Sequence, residues 1–123
     1  MPSYQMRDAK RLLGRAYALF NERDIEGVLK LMHPDVDWPH GMEGGYVHGH
    51  EAVREYWTRQ FGMIDSSVTP TGYSFNPDGR IVVSVQQVVR NLDGTLISEQ
   101  MVEHVYLIAD GLVEHMEIRP AEE

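Results

Sequence analysis

Apolar positions recur at helical spacing through the first half of the chain and at strand spacing through the second. Over residues 4–22, Ala9, Leu12, Leu13, Ala16, Leu19 and Phe20 share one helical face, with Arg7, Asp8, Arg11 and Arg15 mostly opposite. Asn21 to Asp24 breaks that rhythm. Asp24 then offers a carboxylate to the exposed first-turn N–H groups of a second helix. Ile25, Val28, Leu29 and Met32 continue that helix at i, i+3, i+4 and i+7. Pro34 ends it by forcing His33 out of helical geometry. Val36-Asp-Trp-Pro39 reads as a short strand, and its proline, which cannot donate to a ladder, predicts an edge position. A glycine-rich loop covers Gly41 to Gly49, with a brief strand at Tyr46-Val47. A third helix follows from about His50 to Gly62, with Ala52, Val53, Tyr56, Trp57, Gln60 and Phe61 on one side.

Beyond residue 65 the punctuation changes. Asn76-Pro-Asp-Gly79, Asn91-Leu-Asp-Gly94 and Asp110-Gly111 are hairpin turns. They bracket strands near 66–76, 80–91, 95–109 and 112–119, and connections this short make the strands antiparallel neighbours. Three helices followed by a four-strand meander predict an α+β cone, helices packed on one face of a curved, mainly antiparallel sheet. No linker, internal repeat or low-complexity stretch divides the chain, so residues 1–123 read as a single domain.

Composition narrows the function classes. The formal charge is −8, from 19 acidic and 11 basic residues, with only two lysines, Lys10 and Lys30. Nucleic acid binding needs clustered cations and is not expected. Apolar runs reach only a few residues, far short of the roughly 20 that cross a bilayer. The opening Met1-Pro-Ser-Tyr-Gln-Met-Arg lacks the apolar core of a secretory signal. Cysteine is absent, which removes disulfides, thiolate nucleophiles and cysteine-based zinc sites. A cytoplasmic location is the expectation that follows.

The order of elements, the Asn21-Glu-Arg-Asp24 turn, Gly49-His-Glu-Ala-Val-Arg54 and the terminal Asp110-Gly-Leu-Val113 resemble the nuclear transport factor 2-like superfamily. The nearest branches are the SnoaL-like and ketosteroid-isomerase-related ones. The resemblance covers nearly the whole chain and implies a cavity between helices and sheet. The isomerases of that superfamily use a carboxylate base late in the first strand and two proton donors that hold an enolate oxygen. Superposing the chains through the Asn21–Asp24 turn puts His40 at the base's position. Superposing them through the strand before Asp110-Gly111 puts Glu103 at the buried acid's position. Ala16 falls where the tyrosine donor would be, with Tyr17 one residue away and about 100° around the helix.

The resemblance thus implies His40 as base and Glu103 as acid or oxyanion donor, acting without an organic cofactor. An imidazole near its ordinary pKa of ~6.5 takes a proton readily at neutral pH. A glutamic acid in an apolar cavity is pushed towards its neutral, donating form. The alternatives are a satisfied buried pair, or His40 in solvent at the loop. Met116 and Ile118 match apolar pocket positions of the isomerases. Tyr17, Trp38, Trp57 and Phe61 would line the rest, and Met101 shares the strand face of Glu103.

Other chemistries find less support. His33, His40, His48, His50 and Glu43 lie close in sequence, but His48-Gly-His50 precedes a helix and lacks the strand pattern of a paired metal ligand, so no metal is assigned. The serines have no nucleophile elbow, and Gly41-Met-Glu-Gly-Gly45 lacks a phosphate-cradling lysine. The expected function is an isomerase, hydratase or cyclase-like enzyme acting on a small apolar carbonyl or polyketide-like substrate. A non-catalytic ligand-binding or dimerisation module is the alternative. Both faces of strands 80–91 and 95–109 carry apolar residues, which predicts a homodimer through the outer sheet face, using Val82, Val88, Val102 or Tyr106 or their alternate-face neighbours. No membrane partner is expected.

Overall fold

Helix α1 spans Met6–Asn21 and buries Ala9, Leu13 and Tyr17, one residue per turn along a single stripe. The computed structural model describes residues 6–40 and 44–121. Just beyond α1, Arg23 adopts a left-handed backbone (φ 65°), which reverses the chain. Asn21 and Arg23 then fasten this turn to strand β3 (Ile64–Phe75). Asn21 donates from Nδ2 to the Val68 carbonyl (2.7 Å) and accepts from the Val68 N–H (3.0 Å). Arg23 donates to the Ser66 carbonyl (2.7 Å) and pairs with Asp65.

Asp24 caps the second helix as expected, accepting from the Gly27 N–H at 2.9 Å. That helix, α2, covers only Ile25–Leu29. Met32 belongs instead to strand β1 (Met32–Pro39), because Pro34 extends the chain before it and Met32 pairs with Val113. β1 is not an edge strand. It lies between β2 (Tyr46–His48) and β6 (Leu112–Pro120), and the sheet order is β2-β1-β6-β5-β4-β3, with β4 at Ile81–Asn91 and β5 at Leu96–Ala109. Pro39 is tolerated at the end of β1 because the next rung comes from the His40 N–H, which donates to Gly45 O at 2.9 Å.

All neighbours are antiparallel except β1 and β6. The three hairpin turns form as read, with positive φ at Gly79, Gly94, Asp110 and Gly111. The sheet is curved and unclosed, with register shifts at Pro70/Gly72, Val89/Arg90 and Leu107/Ile108. Helix α3 (Gly49–Phe61) carries Val53, Tyr56 and Trp57 into the same core as α1. Among the described residues, no helix is long and apolar enough to cross a membrane.

Strand alternation sorts the sheet into two faces. Val102, Tyr106 and Ile108 of β5 join the core under the helices, with Val83 and Val85 of β4 and Met116 of β6. Met101, Glu103 and Val105 point the other way, in register with Gln86, Ser84 and Val82. Val82 and Val105 are buried yet lie outside the main core cluster. The residues expected at a dimer face therefore separate. Val82 and Val88 share the outer face, whereas Val102 and Tyr106 face the helices.

Candidate functional site: a buried tyrosine–histidine row in an aromatic cavity

A void lies between α1, α3 and the inner sheet face. It has two chambers of about 50 and 80 Å³ that share Phe20, Trp38, Trp57, Val68 and His104 as walls. The first is otherwise lined by aliphatic side chains and by Tyr17 and Tyr106. The second adds Tyr56, Gln60, Ser66, Gln87, Met116 and Ile118. Edge-to-face contacts stiffen the aromatic wall: Trp38 meets Trp57 at 5.3 Å, and Phe20 meets Trp57 at 5.5 Å and Phe61 at 5.1 Å. Neither chamber is lined by Asp, Glu, Lys or Arg.

The polarity of the first chamber is concentrated in one row. Tyr106 donates to the Tyr17 hydroxyl (2.7 Å), and Tyr17 lies 2.8 Å from His104 Nδ1. A hydroxyl has one proton, so with Tyr106 donating to Tyr17, the Tyr17 proton is the one that meets Nδ1. A neutral His104 then carries its own proton on Nε2. Burial pulls the His104 pKa down to about 4, so the ring is neutral at physiological pH. Burial likewise pushes the Tyr17 and Tyr106 hydroxyls well above their ordinary range. Among the described residues Nε2 has no hydrogen-bond partner, and no buried side-chain nitrogen or oxygen lacks one, so Nε2 opens to the void. The row is a fixed donor.

The residues expected at the site divide. Tyr17, Trp38 and Trp57 line the first chamber, and Trp38, Trp57, Met116 and Ile118 line the second. Phe61 stands behind Phe20 as part of the aromatic support. His40 follows β1 and lays its ring 4.2 Å from that of Tyr56, which is itself a wall of the second chamber. Glu103 accepts from Arg119 Nε at 2.7 Å on the outer face, and Met101 is exposed on that face. The structure does not bring His40 and Glu103 together. The strand neighbour of Glu103, His104, stands at the cavity instead, with Tyr106, which sequence reasoning left off the site. Their signal was charge: the set Glu99, Met101, Glu103, Val105 and Leu107 carries two carboxylates, whereas the alternate set Gln100, Val102, His104, Tyr106 and Ile108 carries none and is better suited to the helix-facing side.

Candidate metal ligands are dispersed. His50 Nε2 lies 2.9 Å from Met32 O, His33 Nε2 lies 3.8 Å from Asp110, and His48 donates to Asp37 at 2.7 Å. Glu43 lies outside the described residues. Among those described, no group of three or more His, Asp or Glu is placed to hold a metal ion.

A curved open sheet, helices against one face and a cavity between them define an α+β small-cavity fold. The SnoaL-like domain family matches residues 13–116, and the chain belongs to that family, within the nuclear transport factor 2-like superfamily. Among solved structures, TerC co-crystallised with polyporic acid is 30% identical, with 93% of this chain and 92% of that one covered and a TM-score of 0.79. A nuclear transport factor 2-like protein from Burkholderia pseudomallei is 24% identical, covering 93% and 91% of the two chains at a TM-score of 0.78. The fold is also similar to an LEH-like epoxide hydrolase from M. tuberculosis, 13% identical over 91% of this chain and 81% of that one, TM-score 0.75. No curated protein matches the chain by sequence.

Proposed function

We propose that the protein binds a small apolar carbonyl or polyketide-like compound in this cavity and acts on it by acid/base chemistry, as an isomerase, hydratase or cyclase. The observation that carries the reading is the Tyr106–Tyr17–His104 row, three buried polar side chains on the first chamber, whose walls are otherwise aromatic and aliphatic. A donor held in a low-dielectric site stabilises charge that develops on a substrate oxygen far better than one in water. The identity with TerC, which was co-crystallised with a small molecule, supports a ligand-binding role.

His104 is the donor in this reading, with Tyr17 and Tyr106 holding it. His40, against Tyr56 at the rim, remains the candidate base for a proton on the carbon beside the carbonyl. Glu103, paired with Arg119 on the opposite face, takes no part. The chambers are smaller than the roughly 300 Å³ of typical ligand sites, so a ring-sized substrate must displace part of the shared aromatic wall. A homodimer through the outer face belongs to the same proposal, because that face lies away from the helices and carries Met101 exposed to solvent.

The test uses α-tetralone in heavy water. Its hydrogens beside the carbonyl exchange for deuterium when an acid and a base act together, and NMR follows the loss. The wild type is expected to accelerate exchange. His104→Phe should lower that acceleration by about 10²-fold, the usual effect of losing an oxyanion donor. His40→Ala should lower it by a comparable factor. Binding without acceleration would establish the non-catalytic binding module instead. No binding of α-tetralone or related cyclic ketones and epoxides would defeat both readings.

A further inference from the structure

The charge and hydrogen-bond character of the cavity point to a narrower ligand class. We infer that the site selects neutral ring compounds whose oxygen accepts a hydrogen bond from His104 Nε2, and that it rejects the corresponding carboxylates. The inference rests on the ligand-binding reading above and specifies its substrate class.

Three observations carry it. The donor row has a direction: Tyr106 donates to Tyr17 and Tyr17 to Nδ1, which leaves the His104 proton on Nε2. An imidazole fixed in that tautomer presents a donor to the void and no acceptor there. A ligand must therefore bring a lone pair. Next, no lysine or arginine lines either chamber. Arg23 packs its guanidinium on Phe61 at 4.5 Å and on Phe20 at 5.9 Å, yet lines neither chamber. It is already committed to Asp65 and to the Phe20 and Ser66 carbonyls. A buried carboxylate without a cation is costly. His104 could supply a cation only by taking a second proton, which its burial opposes.

The third observation concerns the walls. Trp38, Trp57 and Phe20 enclose the space beside His104 with ring faces and edges. Such a slot recognises a flat apolar body by area and leaves the single oxygen to set orientation. Tyr17 and Tyr106 act through His104 and are positioning residues. Tyr17 fixes the tautomer. Its donation to Nδ1 also draws electron density from the ring and strengthens Nε2–H as a donor.

The experiment compares three probes of the same shape: acetophenone, cumene and benzoate. The chain has two tryptophans, both on the cavity wall, so their two indole N–H resonances report occupancy directly. At neutral pH acetophenone should bind about tenfold more tightly than cumene, the worth of one buried hydrogen bond. Benzoate should bind more weakly than either. Tyr17→Phe should cut the preference of acetophenone over cumene several-fold. Tyr106→Phe, which removes only the outermost hydroxyl, should cut it less.

Benzoate binding as tightly as acetophenone would overturn the inference. So would an acetophenone preference that survives Tyr17→Phe intact in a folded variant. If none of the three shifts either indole resonance, the ligand-binding reading itself falls. A shared affinity without rank order removes the selectivity alone.

Discussion

His104 is 5% exposed, with Tyr17 on one side and the void on the other. Its folded pKa of about 4 lies below the 6.5 of an exposed imidazole. The unfolded chain therefore binds more protons than the folded one between those values. The stabilisation is present in full above pH ~6.5 and is lost as pH falls towards ~4, below which both states are protonated and the dependence flattens. The shift corresponds to roughly 3 kcal/mol. Tyr17 and Tyr106, which touch the ring, stay neutral throughout that window. Urea unfolding of wild type and His104→Gln at neutral and mildly acid pH separates this contribution from the carboxylates common to both proteins. The wild type is expected to lose on the order of 3 kcal/mol more than the variant on acidification. Equal losses would show that the ring is hydrated or charged in the folded state.

Among the elements, the helices and hairpins were legible because their signals are local. Asp24 caps α2 as its position predicts, and Asp24→Ala is expected to cost about 1 kcal/mol in chemical denaturation. Gly27→Ala should not recover the usual helix gain. A Cβ there would sit 2.6 Å from Asp24 Oδ2 and dislodge the cap. The extra length expected of the second helix failed because Met32 satisfies two patterns: it stands at i+7 from Ile25, and it also begins a strand that pairs with Val113. That partner lies 81 residues away, beyond any local signal. The site was half legible for a similar reason. Tyr17, Trp38 and Trp57 are large apolar residues whose burial follows from periodicity. Glu103 was placed by superposition on a distant relative, and a one-residue error in β5 exchanges it with His104. The register shift at Leu107/Ile108 lies in the strand used for that superposition.

At the scale of the molecule, the helices cover one sheet face and leave the other uncovered. Val82, Val105 and Met101 lie on that other side, and of the three Met101 is the one open to solvent, 45% exposed. Light scattering at micromolar concentration is expected to report a homodimer. Met101→Glu, a change at an exposed position that leaves the core intact, should shift it towards monomer by adding an unpaired charge to the interface. A wild-type monomer would rule the interface out.

The open sheet has two rims, and an exposed strand rim is a template on which further chains add and aggregate. Along β3 every second backbone position faces outward, and three in succession are already blocked. The Ser66 carbonyl is taken by Arg23, and both backbone groups of Val68 are taken by Asn21. Pro70 has no N–H to offer. At the opposite rim, β2 is three residues long and runs straight into α3. The turn that reverses the chain between the first two helices therefore also guards the sheet against runaway polymerisation, and it does so with side chains that never enter the core.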